Sequence, residues 1–482
     1  MNLAPFTGRK AELALLDELH HQGGAKFLVV YGRRRVGKSR LLSHWVNASG
    51  QRVLYWVASQ KNQTELLKGF SQALYRFSHQ NKKTPEGFAY SSWEVALEAL
   101  ADYAQQGPCC VIIDEFTYLA QAAPEFPSIL QNAWDQRLKQ LPLFLIISGS
   151  FVHMMMKTFH SYQAPLYGRA SHRIHLQPLH YHALAQVFPA YSPEERVAVY
   201  GILGGIPAHW EFFDPRQNFN DNLQKALLQP TSLMQADALL LLHEQFDEPT
   251  LYLTILAAIA ENKRTPKEIS NFCSIPPNQV SRYLNTLAEV GLIERRVPVT
   301  DWNRSQSRKG RYYITDSYLR FYFRFIEPFM HLLILGQRDE LLDNIRQHLR
   351  AFIGQYGFEE LCRYWVAYMS NQRKLPLKVF QFGSYWGSDA QLDVMAISRE
   401  DHKVLIGECK WGLEKVGPEV IEKLTRQAPK AISHLAEPAK WQPYLYLFTH
   451  TPLTEEAADL AVQHQVTVVT LEQLDADLRT EE

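Results

Sequence analysis

Cysteine is scarce, with five in 482 residues, no C-x-x-C pair, and Cys109 and Cys110 adjacent. This spacing supports neither a disulfide framework nor structural zinc; it fits a reducing cytosol, with the adjacent pair as small core residues. No apolar run approaches the ~20 residues a spanning helix needs. Phe329 to Leu335 is among the most apolar stretches and is far shorter, so membrane insertion is not expected. No secretory hydrophobic segment is evident near residue 1, and a cytoplasmic location is expected. Net charge is missing as well: 50 Lys and Arg balance 50 Asp and Glu, which excludes a histone-like coat and an acidic solvating chain. There is no solenoid-period repeat and no low-complexity tract. The histidines, including His20, His21, His153, His160, His180 and His182, show no H-E-x-x-H or comparable ligand spacing and are read as surface or core residues.

What is present is length, with 46% apolar residues, enough for roughly three domains. Charge is local. Residues 1–60 hold nine Lys or Arg against three acids, 261–312 hold ten against five, and 451–482 hold eight acids against Arg479 alone. Any nucleic-acid contact must therefore come from patches.

The first patch contains a motif. The apolar run Lys26 to Val30 is followed by Gly32-Arg33-Arg34-Arg35-Val36-Gly37-Lys38-Ser39 and a helical run from Arg40 to Val46. This is G-x-x-x-x-G-K-S in a strand, loop and helix context, which identifies a phosphate-binding loop. Its glycines let backbone N–H groups face phosphates, Lys38 reaches the β and γ phosphates of ATP, and Ser39 offers a hydroxyl to Mg²⁺. Gly32, Arg35, Gly37, Lys38, Ser39 and Arg40 are the predicted nucleotide contacts. Cys109 to Ile113 is a second buried strand, ending in Asp114-Glu115. Asp114 is placed for the Mg²⁺ shell and Glu115 to polarise an attacking water. A third strand, Leu143 to Ile147, ends in Ser148-Gly149-Ser150, with Ser148 as the predicted phosphate contact. Arg169, on the turn Pro165-Leu166-Tyr167-Gly168-Arg169, is either a sensor of the transferring phosphoryl group or a surface arginine.

In this order, Phe6-Thr7-Gly8-Arg9-Lys10-Ala11-Glu12-Leu13, G-R-R-R-V-G-K-S, I-I-D-E-F, I-S-G-S and P-L-Y-G-R resemble the prokaryotic and archaeal P-loop ATPases of the STAND/AAA+ group over about residues 1–215. The resemblance implies that the opening box lies beside the adenine and ribose. It also implies that Arg169 senses charge in its own subunit or in a neighbour's. Lys10 stands where that family often has an acid.

From Thr250 to Val290 the pattern is helical in three segments, broken at Lys263-Arg264 and at Ser274-Ile275-Pro276-Pro277, and Thr265-Pro266-Lys267-Glu268 caps the second. This is a helix-turn-helix whose third helix offers Asn278, Gln279, Ser281, Arg282 and Asn285 to DNA. Leu292 to Val297 and Arg311 to Ile314 read as a hairpin around a loop with Arg304, Arg308 and Lys309, which resembles a winged-helix wing. Basic wings commonly follow the phosphate backbone, and winged helices also serve as packing modules.

In Gln391 to Ile397, period two puts Gln391 and Asp393 on one face; in Lys403 to Trp411 it puts Glu408 and Lys410 on one face and Cys409 on the other. An acidic pair on adjacent strands can hold a divalent metal, and a neighbouring lysine can orient the attacking water. The helical segment Gly357 to Trp365 brings an acid, Glu359 or its neighbour Glu360. The order F-E-E-L, F-G-S-Y-W-G-S-D-A-Q-L-D-V-M-A-I, L-I-G-E-C-K-W resembles a restriction-endonuclease-like domain of PD-(D/E)XK, DUF234 type over about residues 345–450. That resemblance implies Glu359, Asp393 and Glu408 as metal ligands and Asp393, Glu408 and Lys410 as the catalytic set. Gln391 departs from it, standing where an acid is common and removing one charge.

The expected architecture is α/β. A P-loop, AAA+-like ATPase domain with a helical lid (1–230) precedes a winged helix-turn-helix (245–316) and a helical connector (317–344). A small α/β endonuclease-like domain (345–450) and an acidic C-terminal tail or element (451–482) complete it. ATP and Mg²⁺ are the expected cofactors, DNA the expected partner, and a homo-oligomer or protein partner is allowed. The function is ATP hydrolysis on DNA with a Mg²⁺-dependent nuclease, or a STAND-type switch that binds DNA or a protein without cutting.

Overall fold

The structure is a computed structural model that describes residues 6–228, 232–246, 248–302 and 307–480. Arg304, an expected DNA contact, lies outside them. The chain divides into two compact units, one formed by Phe6–Leu179 with Ile206–Ala208 and the other by His180–Gly205 with the residues from His209 onward.

The first unit is built on β1 (Lys26–Tyr31), β2 (Val53–Val57), β3 (Cys109–Asp114), β4 (Leu143–Gly149) and β5 (His172–His175). These form a parallel sheet in the order β2-β3-β4-β1-β5. The strands are nearly continuous apolar runs because both faces are covered. Alternation sends Phe27, Val29, Val111, Ile113, Leu145 and Ile147 to one core and Leu28, Val30, Ile112 and Ile146 to the other. Each such side chain contributes roughly 1.5–3 kcal/mol on burial. Cys109 and Cys110 fall on opposite faces, both free and buried, as core residues should. Because β4 lies between β1 and β3, the ends of all three open at the same edge, where the phosphate loop begins.

The second unit starts with a helical segment that includes α2 (Pro193–Leu203), counting the helix after the phosphate loop (Lys38–Ser49) as α1. Ser192 and Glu195 form a capping box at the start of α2. Next come α3 (Thr250–Ala260), α4 (Pro266–Cys273) and α5 (Pro277–Glu289), then the antiparallel hairpin β6 (Ile293–Arg296) and β7 (Arg311–Ile314). Thr265 and Glu268 make the expected cap of α4. Short helical turns, with Tyr318, Phe321, Tyr322, Phe323 and Phe325 buried, and then a longer helix over Arg338–Ile353 lead to α6 (Glu359–Asn371). The last sheet has the order β12-β11-β10-β9-β8, with β8 (Gln381–Trp386), β9 (Gln391–Ser398), β10 (Lys403–Lys410), β11 (Gln442–Thr449) and β12 (Val466–Thr470). Here β8, β9 and β10 pair antiparallel, whereas β10, β11 and β12 pair parallel. Helix α7 (Pro418–Ile432) packs Ile421, Leu424 and Ala428 into the core of this sheet. Helix α8 (Leu471–Arg479) ends the described chain.

Two segments are held by long-range contacts that the sequence does not mark. The lid segment, expected with the ATPase domain of 1–230, packs closely with the C-terminal residues. Among the contacts that hold it there is a buried ion pair: Arg196 of α2 donates from Nε and Nη2 to the two carboxylate oxygens of Asp475 at 3.0 and 2.8 Å, and the Tyr181 hydroxyl donates to the same carboxylate at 2.8 Å. Similarly, residues after 450 are not appended to the small domain but complete it, since β12 pairs with β11 and Asp475 lies in α8. Local charge marked this stretch as acidic; the pairing that anchors it is long-range. Among the described residues no helix is long and apolar enough to cross a membrane.

Candidate functional site

The phosphate loop runs from the end of β1 into α1, with Gly37 at φ 100° as the cap of the helix and Arg35 also left-handed at φ 67°. These two left-handed residues curl the backbone. Gly32 is required for a second reason: a Cβ there would lie 2.4 Å from the Leu176 carbonyl oxygen. Lys38 is 4% exposed and donates to the carbonyls of Gly32 (3.0 Å) and Arg33 (3.1 Å). Ser39 and Arg40 occupy the first turn of α1.

At the end of β3, Asp114 is 1% exposed and accepts from the Tyr55 hydroxyl at 2.7 Å and from the Glu115 main-chain N–H at 2.9 Å. The Tyr55 hydroxyl also interacts with the side chains of Ser43 and Ser39, so it ties the two residues expected at Mg²⁺ to one point, while burial and Asp114 push its own pKa up. Glu115 sits at φ 52° and accepts from Ser150 Oγ at 2.8 Å. Ser148 does not make that contact. It is fully buried inside β4 opposite Val30, and its hydroxyl has no hydrogen-bond partner among the described residues. Only Ser150, beyond the strand end, reaches the acid.

In the C-terminal sheet, Asp393 Oδ2 accepts from the Cys409 main-chain N–H at 2.9 Å, binding β9 to β10 just past the Gly407–Val394 pair. Glu408 is 2% exposed; its Oε1 accepts from Lys410 Nζ at 2.9 Å and Lys423 Nζ at 2.6 Å, and its Oε2 has no partner among the described residues. Arg363 of α6 donates to Ser384 Oγ (3.0 Å) and the Asp393 carbonyl (2.9 Å) and lies 3.5 Å from Glu359. Burial raises the pKa of Glu359, with Asp393 adding to the rise; burial raises that of Asp393, with Glu408 adding. Glu360 behaves oppositely. Burial alone would raise it, but Arg320, Arg296 and Arg363 pull it down to about 2. Of the two candidate acids on α6, then, Glu359 faces the carboxylates, and Glu360 belongs to an arginine cluster. The expected ligand triad is not assembled: among the described residues no three His, Cys, Asp or Glu side chains are arranged to hold a metal ion.

The helix-turn-helix presents Asn278, Gln279, Ser281, Arg282 and Asn285 exposed on α5, while Val280, Leu284 and Leu287 are buried. Arg308 and Lys309 are exposed too. The hairpin behind them is not a free arm, however. The Trp386 indole donates to the Lys309 carbonyl at 3.0 Å, Arg311 lies over the Trp386 ring, and Val299 joins the C-terminal core.

Comparison with known proteins bears on these sites. A profile of ATPase domains predominantly from Archaea matches residues 6–212, an IclR helix-turn-helix profile matches 252–297, and a profile of archaeal and bacterial proteins of unknown function, DUF234, matches 322–420. The uncharacterized protein MJECL04 of Methanocaldococcus jannaschii is 33% identical over 406 residues, covering 84% of this chain and 87% of that protein. The chain belongs to this archaeal ATPase family. Among solved structures, the Walker-type ATPase PABY2304 of Pyrococcus abyssi superposes with a TM-score of 0.52 at 20% identity, covering 66% of this chain and 96% of that one, a likeness of fold. Cdc6p of Pyrobaculum aerophilum, at 16% identity, covers 70% of this chain and 97% of its own, with a TM-score of 0.36 that adds nothing to the fold assignment.

Sequence reasoning missed two side chains, Tyr55 beside Asp114 and Lys423, which reaches Glu408 from α7, and it named Ser150 only within Ser148-Gly149-Ser150. Neither Tyr55 nor Lys423 lies in a motif that spacing alone reveals. Arg9, quoted only as part of the opening box, is 7% exposed and donates to the carbonyls of Val36 (3.1 Å) and Gln177 (2.7 Å), so it braces the phosphate loop. Arg169 pairs with Asp135 at 3.0 Å and donates to the Tyr167 carbonyl at 2.8 Å. No hydrogen bond or ion pair joins it to the phosphate loop among the described residues.

Burial pushes the Lys38 ammonium down to about 8, against the pull of Glu115 and Asp114. An added phosphate restores its charge. ATP affinity of the ATPase should therefore fall as pH rises through about 8, and binding near that pH should take up roughly half a proton. Calorimetry in two buffers of different ionisation enthalpy measures this uptake, and Lys38→Met should lack it; equal heats in both buffers would contradict it.

Proposed function

We propose that this chain binds and hydrolyses ATP and acts on DNA, with its winged helix holding the duplex and its C-terminal domain cutting a phosphodiester. The observation that carries the ATP half is the convergence of Lys38, Asp114 and Glu115, with Ser150 holding the Glu115 carboxylate. Backbone N–H groups from Gly32 to Ser39 receive the phosphates, and Lys38 exchanges its carbonyl partners for phosphate oxygens. The Ser39 hydroxyl and Asp114 are hard oxygen donors of the kind Mg²⁺ takes, brought together at Tyr55, so the site fits the ion. When bound, Mg²⁺ neutralises charge on the transferring phosphoryl group. Glu115 takes the proton of the attacking water, and Ser150 fixes which oxygen does so. Arg169 becomes a sensor only by leaving Asp135.

For the C-terminal half, the buried, unpartnered Glu408 Oε2 beside Asp393 fits a divalent ion held by two carboxylates, with Lys410 available to orient water. On the DNA side, support comes from the exposed polar face of α5, where Arg282 and Gln279 can reach base edges. A second reading, a STAND-type switch that binds DNA or a protein without cutting, is favoured by Glu408 being matched by two lysines and by Gln391 in place of an acid.

The test is incubation of supercoiled, linear and branched DNA with Mg²⁺ or Mn²⁺, with and without ATP, beside Lys38→Ala and Asp393→Ala. Cutting that disappears in Asp393→Ala and depends on Lys38 is the expected result. ATP turnover with no cutting of any substrate would leave the switch.

A further inference from the structure

A cavity of about 460 Å³ lies between the β6–β7 hairpin and the C-terminal sheet, and its lining includes Arg264, Arg311, Tyr313, Phe382 and Asp393. That volume belongs to the class that encloses small ligands, roughly 300–1,000 Å³. It is far too small for a duplex, whose major groove alone is about 12 Å wide.

Charge and aromatic surface coincide at this cavity. Arg264 donates to the hydroxyls of Tyr313 (3.0 Å) and Tyr356 (3.1 Å) and to Asn262 Oδ1 (2.8 Å), and Arg311 lies over the Trp386 ring at 4.9 Å. Every one of those partners is neutral. Arg296, by contrast, is paired with Glu294 and Glu360. The acids that also line it are largely matched, Glu294 and Glu360 by Arg296 and Glu359 by Arg363 at 3.5 Å, which leaves Arg264 and Arg311, with their neutral partners, as the cations that can meet a phosphate. Along the edge strand β8, Phe382 is 51% exposed, and Phe380, two residues before, is 46% exposed, with Lys378 Nζ 4.9 Å from the centre of its ring. Exposed rings interleaved with cations are what sites for unpaired nucleic acid use: the cations follow the backbone and the rings stack bases, whatever the sequence.

We propose that this cavity and the adjoining β8 edge bind single-stranded DNA, with bases stacked on Phe380 and Phe382 and phosphates facing Lys378, Arg264 and Arg311, so that the strand passes Asp393. The proposal rests on the DNA reading above and narrows its substrate to DNA with an unpaired end or flap. The duplex part would be held by α5 and the unpaired part by the cavity.

The experiment is fluorescence anisotropy on the full chain, in EDTA so that nothing is cut, with labelled oligothymidylate and a labelled blunt hairpin duplex. Four variants are compared with the native chain: the double variant Phe380→Ala with Phe382→Ala, Phe382→Trp, Arg311→Gln and Arg282→Ala. The double Phe variant should bind oligothymidylate about tenfold more weakly while the hairpin changes by less than about twofold. Phe382→Trp should keep single-strand binding because an indole also stacks, Arg311→Gln should lose several-fold, and Arg282→Ala should weaken the hairpin alone. Both phenylalanines are exposed, so the variants should melt with the native chain, and retained Phe382→Trp binding separates stacking from folding. Oligothymidylate bound equally by the double Phe variant, or hairpin binding without single-strand binding, would overturn the proposal and leave the DNA reading standing. No binding of either DNA would overturn both.

Discussion

Glu115→Gln is expected to bind ATP about as tightly as the native chain and to hydrolyse it at least ~100-fold more slowly. The amide keeps the size of the carboxylate and can still accept from Ser150 Oγ, now 2.8 Å away, so the left-handed backbone at φ 52° has no reason to relax. Lys38, Ser39 and Asp114, to which the proposal gives the affinity, are untouched. Only the proton acceptor is lost. Phosphate release at saturating ATP, beside equilibrium binding of the same preparation, reads the two quantities separately. Turnover within about threefold of native would move the base elsewhere. Lys38→Ala should differ in kind, losing affinity itself, because a buried cation facing phosphate contributes to binding in the ground state as well.

The second large effect is on stability. Arg196→Ala should destabilise the unit that contains it by roughly 3–5 kcal/mol, the usual cost of breaking a buried ion pair by removing one member. Asp475 is 1% exposed, and after the change it keeps only the Tyr181 hydroxyl and Arg479 Nε at 2.9 Å of its present partners. Urea unfolding measures the loss. Replacing both members, Arg196→Met with Asp475→Leu, should recover most of it, since apolar side chains of similar volume avoid the desolvation that the charges carry. A loss below ~1 kcal/mol for Arg196→Ala would mean that the pair does not anchor the C-terminal helix. Fold and function separate cleanly here, as neither residue belongs to a proposed reaction.

Legibility in the sequence followed the range of the interactions involved. The phosphate loop, β1, β3 and β4 could be read because continuous apolar runs ending in Gly or in paired acids are local signals. The three helices from Thr250 and the hairpin after them were readable from cap and period, and the exposed face of α5 matches the expectation residue by residue. Ser150 was not singled out beside Ser148 because the two serines, two positions apart, bracket a strand end that the sequence marks only to within a residue or two. Glu359 and Glu360 were left open because adjacent helical positions point about 100° apart and the sequence does not say which of them meets the strands; the surrounding arginines, from β6, a turn after β7 and α6, decide between them.

The sequence by itself determined the element types, the phosphate loop with its acids, the polar face of the recognition helix and the two strands that carry Asp393, Glu408 and Lys410. Each depends on a repeat of 2 or 3.6 residues or on a motif within eight. Tertiary structure alone decided the rest: Tyr55 joining Ser39 to Asp114, Ser150 reaching Glu115, Lys423 reaching Glu408, and the hairpin walling a cavity beside Asp393. It also placed the lid and the acidic C-terminal element in one unit, where an ion pair 279 positions apart joins them. Contacts of that separation leave no periodic trace, because the chain between the partners sets their distance only through the packing of everything it folds into.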